Sequence, residues 1–218
     1  MEERVRAWLL ARWPTTRVEA APFRHWLLGD ALPPELARGL RRLPVTAAPI
    51  GETAGRRETH NATRWFFSEA NQEAHPECRR LAAAFQNSEI VAMLKAMTGA
   101  DLAGTSLRIE YCQDTDGFWL EPHTDIGAKR FTALVYLSEM DGAESLGTDL
   151  FDAGGDYLGS APGGFNKGLV FVPGSDTWHG FRRRTFAGVR TSLIINYVGP
   201  EWRARHELAF ADTPVTPG

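Results

Sequence analysis

From about Ala103 onward the chain breaks into short runs rich in β-branched and aromatic residues, each closed by Gly, Pro or Asp. The runs at 105–112, 119–124, 131–138, 148–152, 169–172, 178–181 and 189–198 read as strands. Turn signals separate them: Asp114 to Gly117, Asp141-Gly142, Gly154-Gly155, Pro162 to Gly164 and Pro173-Gly174. Short, evenly spaced strands must bury their apolar faces against one another, which restricts this half to a sandwich or a closed barrel. The first 102 residues carry a different period. Val5, Trp8 and Leu9 fall on one helical face, Pro33 and Pro34 open a helix over 35–43, and 76–86 and 88–98 read as two more. Ser88 is the expected N-cap of the last, and Gly99 its stop. The expectation is therefore a mainly β protein with flanking helices. Residues 1–218 form one domain: a mostly helical flank over 1–102, a β core over 103–198, and a tail over 199–218 that frays.

Composition excludes several classes of function. A net charge of −3 gives no basic footprint for nucleic acid or an anionic membrane, and Arg182, Arg183 and Arg184 read as a solvated turn. The N-terminus has charges within its apolar stretch and no small-residue cleavage site, so no signal peptide is expected. Two cysteines, Cys78 and Cys112, are too few for a disulfide framework or a structural zinc site. A cytoplasmic protein is the expectation; nothing in the sequence sets its oligomeric state.

Chemistry concentrates in Glu121-Pro122-His123-Thr124-Asp125. On an extended strand, residues two apart point to the same face, so His123 and Asp125 can reach one metal ion. His179, in Thr177-Trp178-His179-Gly180, is the candidate third ligand. Two imidazoles and one carboxylate leave open coordination positions, the arrangement of iron(II) sites that take a co-substrate together with O2. Arg190 follows His179 by eleven residues. By strand alternation it shares a face with Ser192, Ile194 and Asn196, opposite Val189, Thr191, Leu193, Ile195 and Tyr197. A guanidinium aimed into a barrel needs an anion, and a dicarboxylate co-substrate supplies one, with Ser192 adding a hydroxyl donor.

The stretch from about Leu107 to Val198 resembles the 2-oxoglutarate/Fe(II)-dependent dioxygenase superfamily, in particular its prolyl-4-hydroxylase-like branch. The features that carry the resemblance are Tyr111, His123-x-Asp125, the strand Phe131 to Ser138, Gly147-Thr148, Lys167 to Phe171, His179-Gly180 and Arg190-x-Ser192. It implies a double-stranded β-helix (a jelly-roll, cupin-like core), with His123 and Asp125 at the second core strand and His179 near the seventh. It also implies Fe(II) on His123, Asp125 and His179, and 2-oxoglutarate on Arg190, Ser192 and Tyr111. O2 is the further co-substrate, and hydroxylation of an unactivated C–H bond yields succinate and CO2. The sequence departs from the branch at Leu146-Gly147-Thr148-Asp149, in a long 111–123 segment, and in Arg190 where many members have lysine. These departures leave the substrate open between a small metabolite and a peptide side chain. Asp125 favours hydroxylation over halogenation, since related halogenases carry a small residue there.

Two other readings of the triad are a cupin-like barrel that binds metal or sugar without oxygenase chemistry, and a zinc hydrolase. The first has no need of Arg190; the second lacks an evident general base. Phe118 and Trp119 are expected near the substrate mouth. Asn61 and Arg64 read as the polar edge of an aromatic run, either facing substrate or closing a sheet edge.

Overall fold

The computed structural model describes residues 2–47, 55–56 and 64–216. Five helices are present among them: α1 (Glu2–Arg12), α2 (Pro34–Arg41), α3 (Glu69–Ala74), α4 (Pro76–Gln86) and α5 (Ser88–Thr98). Helix α4 begins on a proline, whose missing N–H is no loss in a first turn. The cap of α5 is Asn87, not Ser88: the Asn87 carboxamide oxygen accepts from the Glu89 amide at 3.0 Å. Gly99 ends this helix in the left-handed region at φ 80°, where a side chain would be strained.

Three short strands lie in the first half: β1 (Arg17–Glu19), β2 (His25–Leu28) and β3 (Arg64–Phe66). Eight more follow: β4 (Ser106–Asp114), β5 (Leu120–His123), β6 (Lys129–Tyr136), β7 (Asp149–Phe151), β8 (Tyr157–Ser160), β9 (Lys167–Phe171), β10 (His179–Phe181) and β11 (Arg190–Val198). They form two antiparallel sheets, a seven-stranded one in the order β1-β2-β9-β6-β11-β4-β3 and a four-stranded one in the order β5-β10-β7-β8. Apart from the β7–β8 hairpin, consecutive core strands alternate between the sheets, which is the winding of a double-stranded β-helix. The first half is therefore not only a helical flank; its strands lengthen the large sheet at both edges.

Alternation decides what each face of the large sheet touches. Leu107, Ile109, Tyr111, Ala133, Val135, Leu193, Ile195 and Tyr197 pack with Leu9, Leu40, Leu81, Phe85 and Leu94 of the helices in one apolar core. Each fully buried side chain of this size contributes about 1.5–3 kcal/mol. The opposite face looks into the barrel and holds Leu134, Tyr136, Leu169 and Phe171 together with polar side chains. The tail is packed rather than frayed. Leu208, Ala209 and Val215 are buried, the Ala209 amide donates to the Leu107 carbonyl at 2.9 Å, and that of Val215 donates to Thr105 at 2.7 Å. Among the described residues no helix is long and apolar enough to cross a membrane.

Candidate metal centre and co-substrate cavity

β5 ends on His123 and pairs with β10, so that His123 stands directly opposite His179, their rings 4.5 Å apart. Gly180 permits this approach. A Cβ there would stand 2.8 Å from the Leu120 carbonyl oxygen and 2.9 Å from that of Glu121, so any larger residue would push β10 away from β5. Asp125 follows in the loop after β5. Ligand atoms of His123, Asp125 and His179 all lie within 4.8 Å of one another.

Each ligand is oriented by a neighbour. The Nδ1 of His123 faces the Glu121 carbonyl at 2.8 Å, and that of His179 faces the Thr177 carbonyl at 2.9 Å. A carbonyl only accepts, so both Nδ1 atoms carry hydrogen and both Nε2 lone pairs are left for a metal. Burial, the largest influence, holds the His179 imidazolium unfavourable and lowers its pKa to about 4, so the ring is neutral at ordinary pH. The Asp125 carboxylate accepts from Lys129 Nζ at 2.5 Å and from the Thr132 hydroxyl at 2.8 Å. Thr132 is in turn held by Asn196 Nδ2 at 2.9 Å. Each carboxylate oxygen has two lone pairs, so these bonds leave capacity for a metal. Two imidazoles and one carboxylate without a thiolate fit Fe(II) in an open site better than a closed structural zinc.

The triad lines a narrow cavity of about 50 Å³ whose walls also include Leu134, Thr148, Phe181, Arg190, Ser192 and Ile194. Arg190, Ser192 and Ile194 share one face of β11, as alternation requires. The Arg190 guanidinium lies over the Phe181 ring at 4.5 Å. Its expected need for an anion from outside is met within the chain: Nη1 pairs with Asp114 at 2.6 Å, and Nε donates to the Leu146 carbonyl at 2.8 Å. Asp114 and Arg190 are cross-strand partners. The Asp114 Oδ1 is buried without a hydrogen-bond partner among the described residues.

Tyr111 is not brought to this cavity. It sits on the helix-facing side of β4, its hydroxyl 3.4 Å from the Arg41 carbonyl, and burial raises its pKa to about 12. Tyr111 is three positions from the inward-facing Asp114, an odd offset, so the alternation of β4 turns it away. The tyrosine inside the barrel is Tyr136, 5.9 Å from the Arg190 guanidinium, its hydroxyl donating to Thr148 Oγ1 at 2.8 Å and accepting from the Thr148 amide at 3.0 Å. Tyr136 pairs with Ser192 across β6 and β11, so it shares Ser192's face. Sequence reasoning places it in the strand without giving it a role. Thr132 lies in the same expected strand without a role, Asp114 reads only as the start of a turn and Lys129 falls outside every run; their contacts with Asp125 and Arg190 depend on register. Arg64 lines the cavity from edge strand β3, so facing the site and closing the sheet edge are the same position. Asn61 lies outside the described residues. Phe118 fills the barrel beside Phe181 rather than the mouth, and Trp119 lies under Arg183 at 5.2 Å.

No family model matches the chain, and no curated protein matches it in sequence. Solved structures do match in three dimensions. A prolyl-4-hydroxylase from Pseudomonas putida superposes with a TM-score of 0.55 at 16% identity, over 91% of this chain and 94% of that one. A prolyl hydroxylase from Trichoplax adhaerens, in complex with a hypoxia-inducible-factor peptide fragment, gives 0.58 at 12% identity over 90% of each. HygX from Streptomyces hygroscopicus, with nickel and 2-oxoglutarate bound, gives 0.52 at 16% identity over 82% of this chain and 84% of that one. The chain therefore has the double-stranded β-helix fold shared by prolyl hydroxylases and other 2-oxoglutarate/Fe(II) oxygenases.

Proposed function

We infer that the protein is a 2-oxoglutarate- and Fe(II)-dependent oxygenase that hydroxylates a C–H bond of a small molecule or peptide side chain, with succinate and CO2 as co-products. The observation that carries this reading is the position of Arg190 in the same cavity as the His123–Asp125–His179 cluster. Arg190 faces the cavity although Asp114 already pairs with it, and a metal-binding barrel without oxygenase chemistry does not require a guanidinium in the wall of its metal cavity.

Bound Fe(II) and 2-oxoglutarate supply the oxidising power, by activating O2 as the keto acid is decarboxylated. The chain supplies placement. His123 and His179 present Nε2 because their Nδ1 hydrogens are held by backbone carbonyls. Lys129 and Thr132 fix the Asp125 carboxylate plane. Arg190 and Ser192, which line the cavity, would offer donors to the distal carboxylate of the co-substrate. Phe181, Leu134 and Ile194 keep the cavity apolar between these ends and limit water. The neighbours differ in what they hold, a peptide fragment in one structure and hygromycin B in another, so the substrate has to be read from this chain's own walls.

Anaerobic calorimetry tests the reading. 2-Oxoglutarate is expected to bind with micromolar affinity only after Fe(II) is added, and Arg190→Ala to weaken it. Equal binding with and without metal would contradict the assignment.

A further inference from the structure

A second, wider cleft of about 400 Å³ borders His123 and Asp125, lined by residues of β4, β5, the 124–129 loop and the C-terminal segment together with Gly55 and Arg56. Its size suits a small ligand of one or two rings. His123 and Asp125 form its floor, and Arg108, Trp202 and Glu207 part of its wall. None of these wall residues belongs to the co-substrate cavity described above.

The wall is rich in charge, yet every charge is answered within the chain. Arg108 Nε pairs with Glu207 at 2.5 Å and its Nη1 with Glu110. Lys129 pairs with Asp125, Arg190 with Asp114, and at the rim Arg56 stands 3.6 Å from Glu121. Arg64, 5% exposed, stands 3.9 Å from Glu110. Around the triad, then, the buried cations Arg64, Arg108, Lys129 and Arg190 are matched by the carboxylates Glu110, Asp114, Asp125 and Glu207. A divalent metal and a dicarboxylate co-substrate also cancel. Among the described residues, the loaded site would have no net charge left for a charged substrate, whose burial would go uncompensated. An apolar substrate is equally unsuited, because it would strip water from ion pairs without replacing its hydrogen bonds. Hydroxyl groups both donate and accept, so they can satisfy guanidinium and carboxylate together.

Two features favour a ring over a chain. Trp202 lines the cleft and stacks on the Arg108 guanidinium at 4.5 Å, which fixes an aromatic wall beside the polar pair. The C-terminal segment is strapped across β4 by the Arg108–Leu208 bridge and the Ala209–Leu107 hydrogen bond. This anchors the segment that carries Trp202 and Glu207 beside Arg108, a fixed wall suited to a flat-faced ring.

We propose that the primary substrate is an uncharged, polyhydroxylated ring, of the sugar or cyclitol class, seated in the cleft lined by Trp202, Arg108, Glu207, His123 and Asp125. This rests on the oxygenase reading for its chemistry, but the binding site can be tested separately. Calorimetry and saturation-transfer NMR, with and without Fe(II) and 2-oxoglutarate, would compare methyl glucoside, myo-inositol and maltose with glucose 6-phosphate, glucosamine, L-proline and a blocked prolyl dipeptide. At least one neutral polyol is expected to bind, and at least tenfold more tightly than the charged sugars. Trp202→Leu and Glu207→Gln should each weaken that binding about fivefold or more while leaving 2-oxoglutarate affinity unchanged, with circular dichroism reporting that both remain folded. Tighter binding of a charged sugar, binding of proline or the prolyl dipeptide without any polyol, or no binding at all would overturn the proposal. Polyol binding together with failure to bind Fe(II) or 2-oxoglutarate would instead overturn the oxygenase reading and leave this site standing.

Discussion

Arg190 and Asp114 face each other across β11 and β4 as a buried ion pair, Nη1 to Oδ2 2.6 Å. The pair neutralises the inner end of the co-substrate cavity before any ligand arrives. On the proposed function, an incoming carboxylate would share Arg190 with Asp114 rather than meet an isolated cation. Removing the anion should expose the cation's affinity: Asp114→Asn is expected to lower stability by about 3–5 kcal/mol, since it leaves a buried charge unpaired. 2-Oxoglutarate should then raise the Tm of the variant by more than it raises that of the wild type. Equal ligand-induced shifts in thermal denaturation would show that Asp114 does not modulate the site.

Truncating the other partner has the opposite effect on binding. A hydrogen bond to a charged group is worth about 1.5–3 kcal/mol, so Arg190→Ala should weaken 2-oxoglutarate roughly 10–100-fold, measured by calorimetry. Arg190→Lys, which keeps the charge and loses the fork, should fall between.

The two tyrosines separate what alternation says from what the resemblance suggests. Tyr136→Phe removes the hydroxyl that holds Thr148 in the cavity wall, and should raise the Kd for 2-oxoglutarate about fivefold, the equivalent of ~1 kcal/mol. Tyr111→Phe should leave that Kd unchanged, because the ring lies in the helix-facing core. The reverse pattern would restore Tyr111 to the site.

Gly180→Ala tests the strand approach that sets the two histidines face to face. Its Cβ would collide with backbone carbonyls of β5, at a cost of about 1–3 kcal/mol. Weaker metal binding, measured with Co(II) as an optical probe, should accompany the loss of stability. A variant with wild-type metal affinity would mean that β10 can shift without moving His179.

The metal-free protein should lose stability in mild acid through His179. Its folded-state pKa of about 4 lies below the value of an unfolded histidine near 6.5, so the unfolded chain binds the extra proton first. The contribution is complete above pH 6.5 and is lost as pH falls through 4. His179→Gln should flatten this part of the Tm–pH profile; an unchanged slope would assign the acid sensitivity elsewhere.

How much of this is legible in the sequence follows from which residues depend on local order. His123 and Asp125 are two apart on an extended segment, and Arg190, Ser192 and Ile194 alternate along one strand, so their shared faces can be read directly. Seven of the core strands show as alternating or apolar runs. Strand β8 does not, because Tyr157 and Leu158 are exposed on an outer edge and give no buried face to the pattern. β1 to β3 are three or four residues long, too short for a period among helices. The tail looks polar and proline-rich, yet Leu208, Ala209 and Val215 are enough to dock it. Asp114 opposite Arg190, and Tyr136 opposite Ser192, are matters of register between distant segments, which no local pattern carries.

The central claim is that this cavity couples decarboxylation of 2-oxoglutarate to a metal held by His123, Asp125 and His179. Carboxyl-labelled 2-oxoglutarate, incubated with the protein, Fe(II) and O2, measures it directly as labelled CO2 released with equimolar succinate. Release is expected from the wild type, slow without substrate, and absent from Asp125→Ala and from metal-free protein. No release above the Asp125→Ala background, with Fe(II) demonstrably bound, would contradict the account.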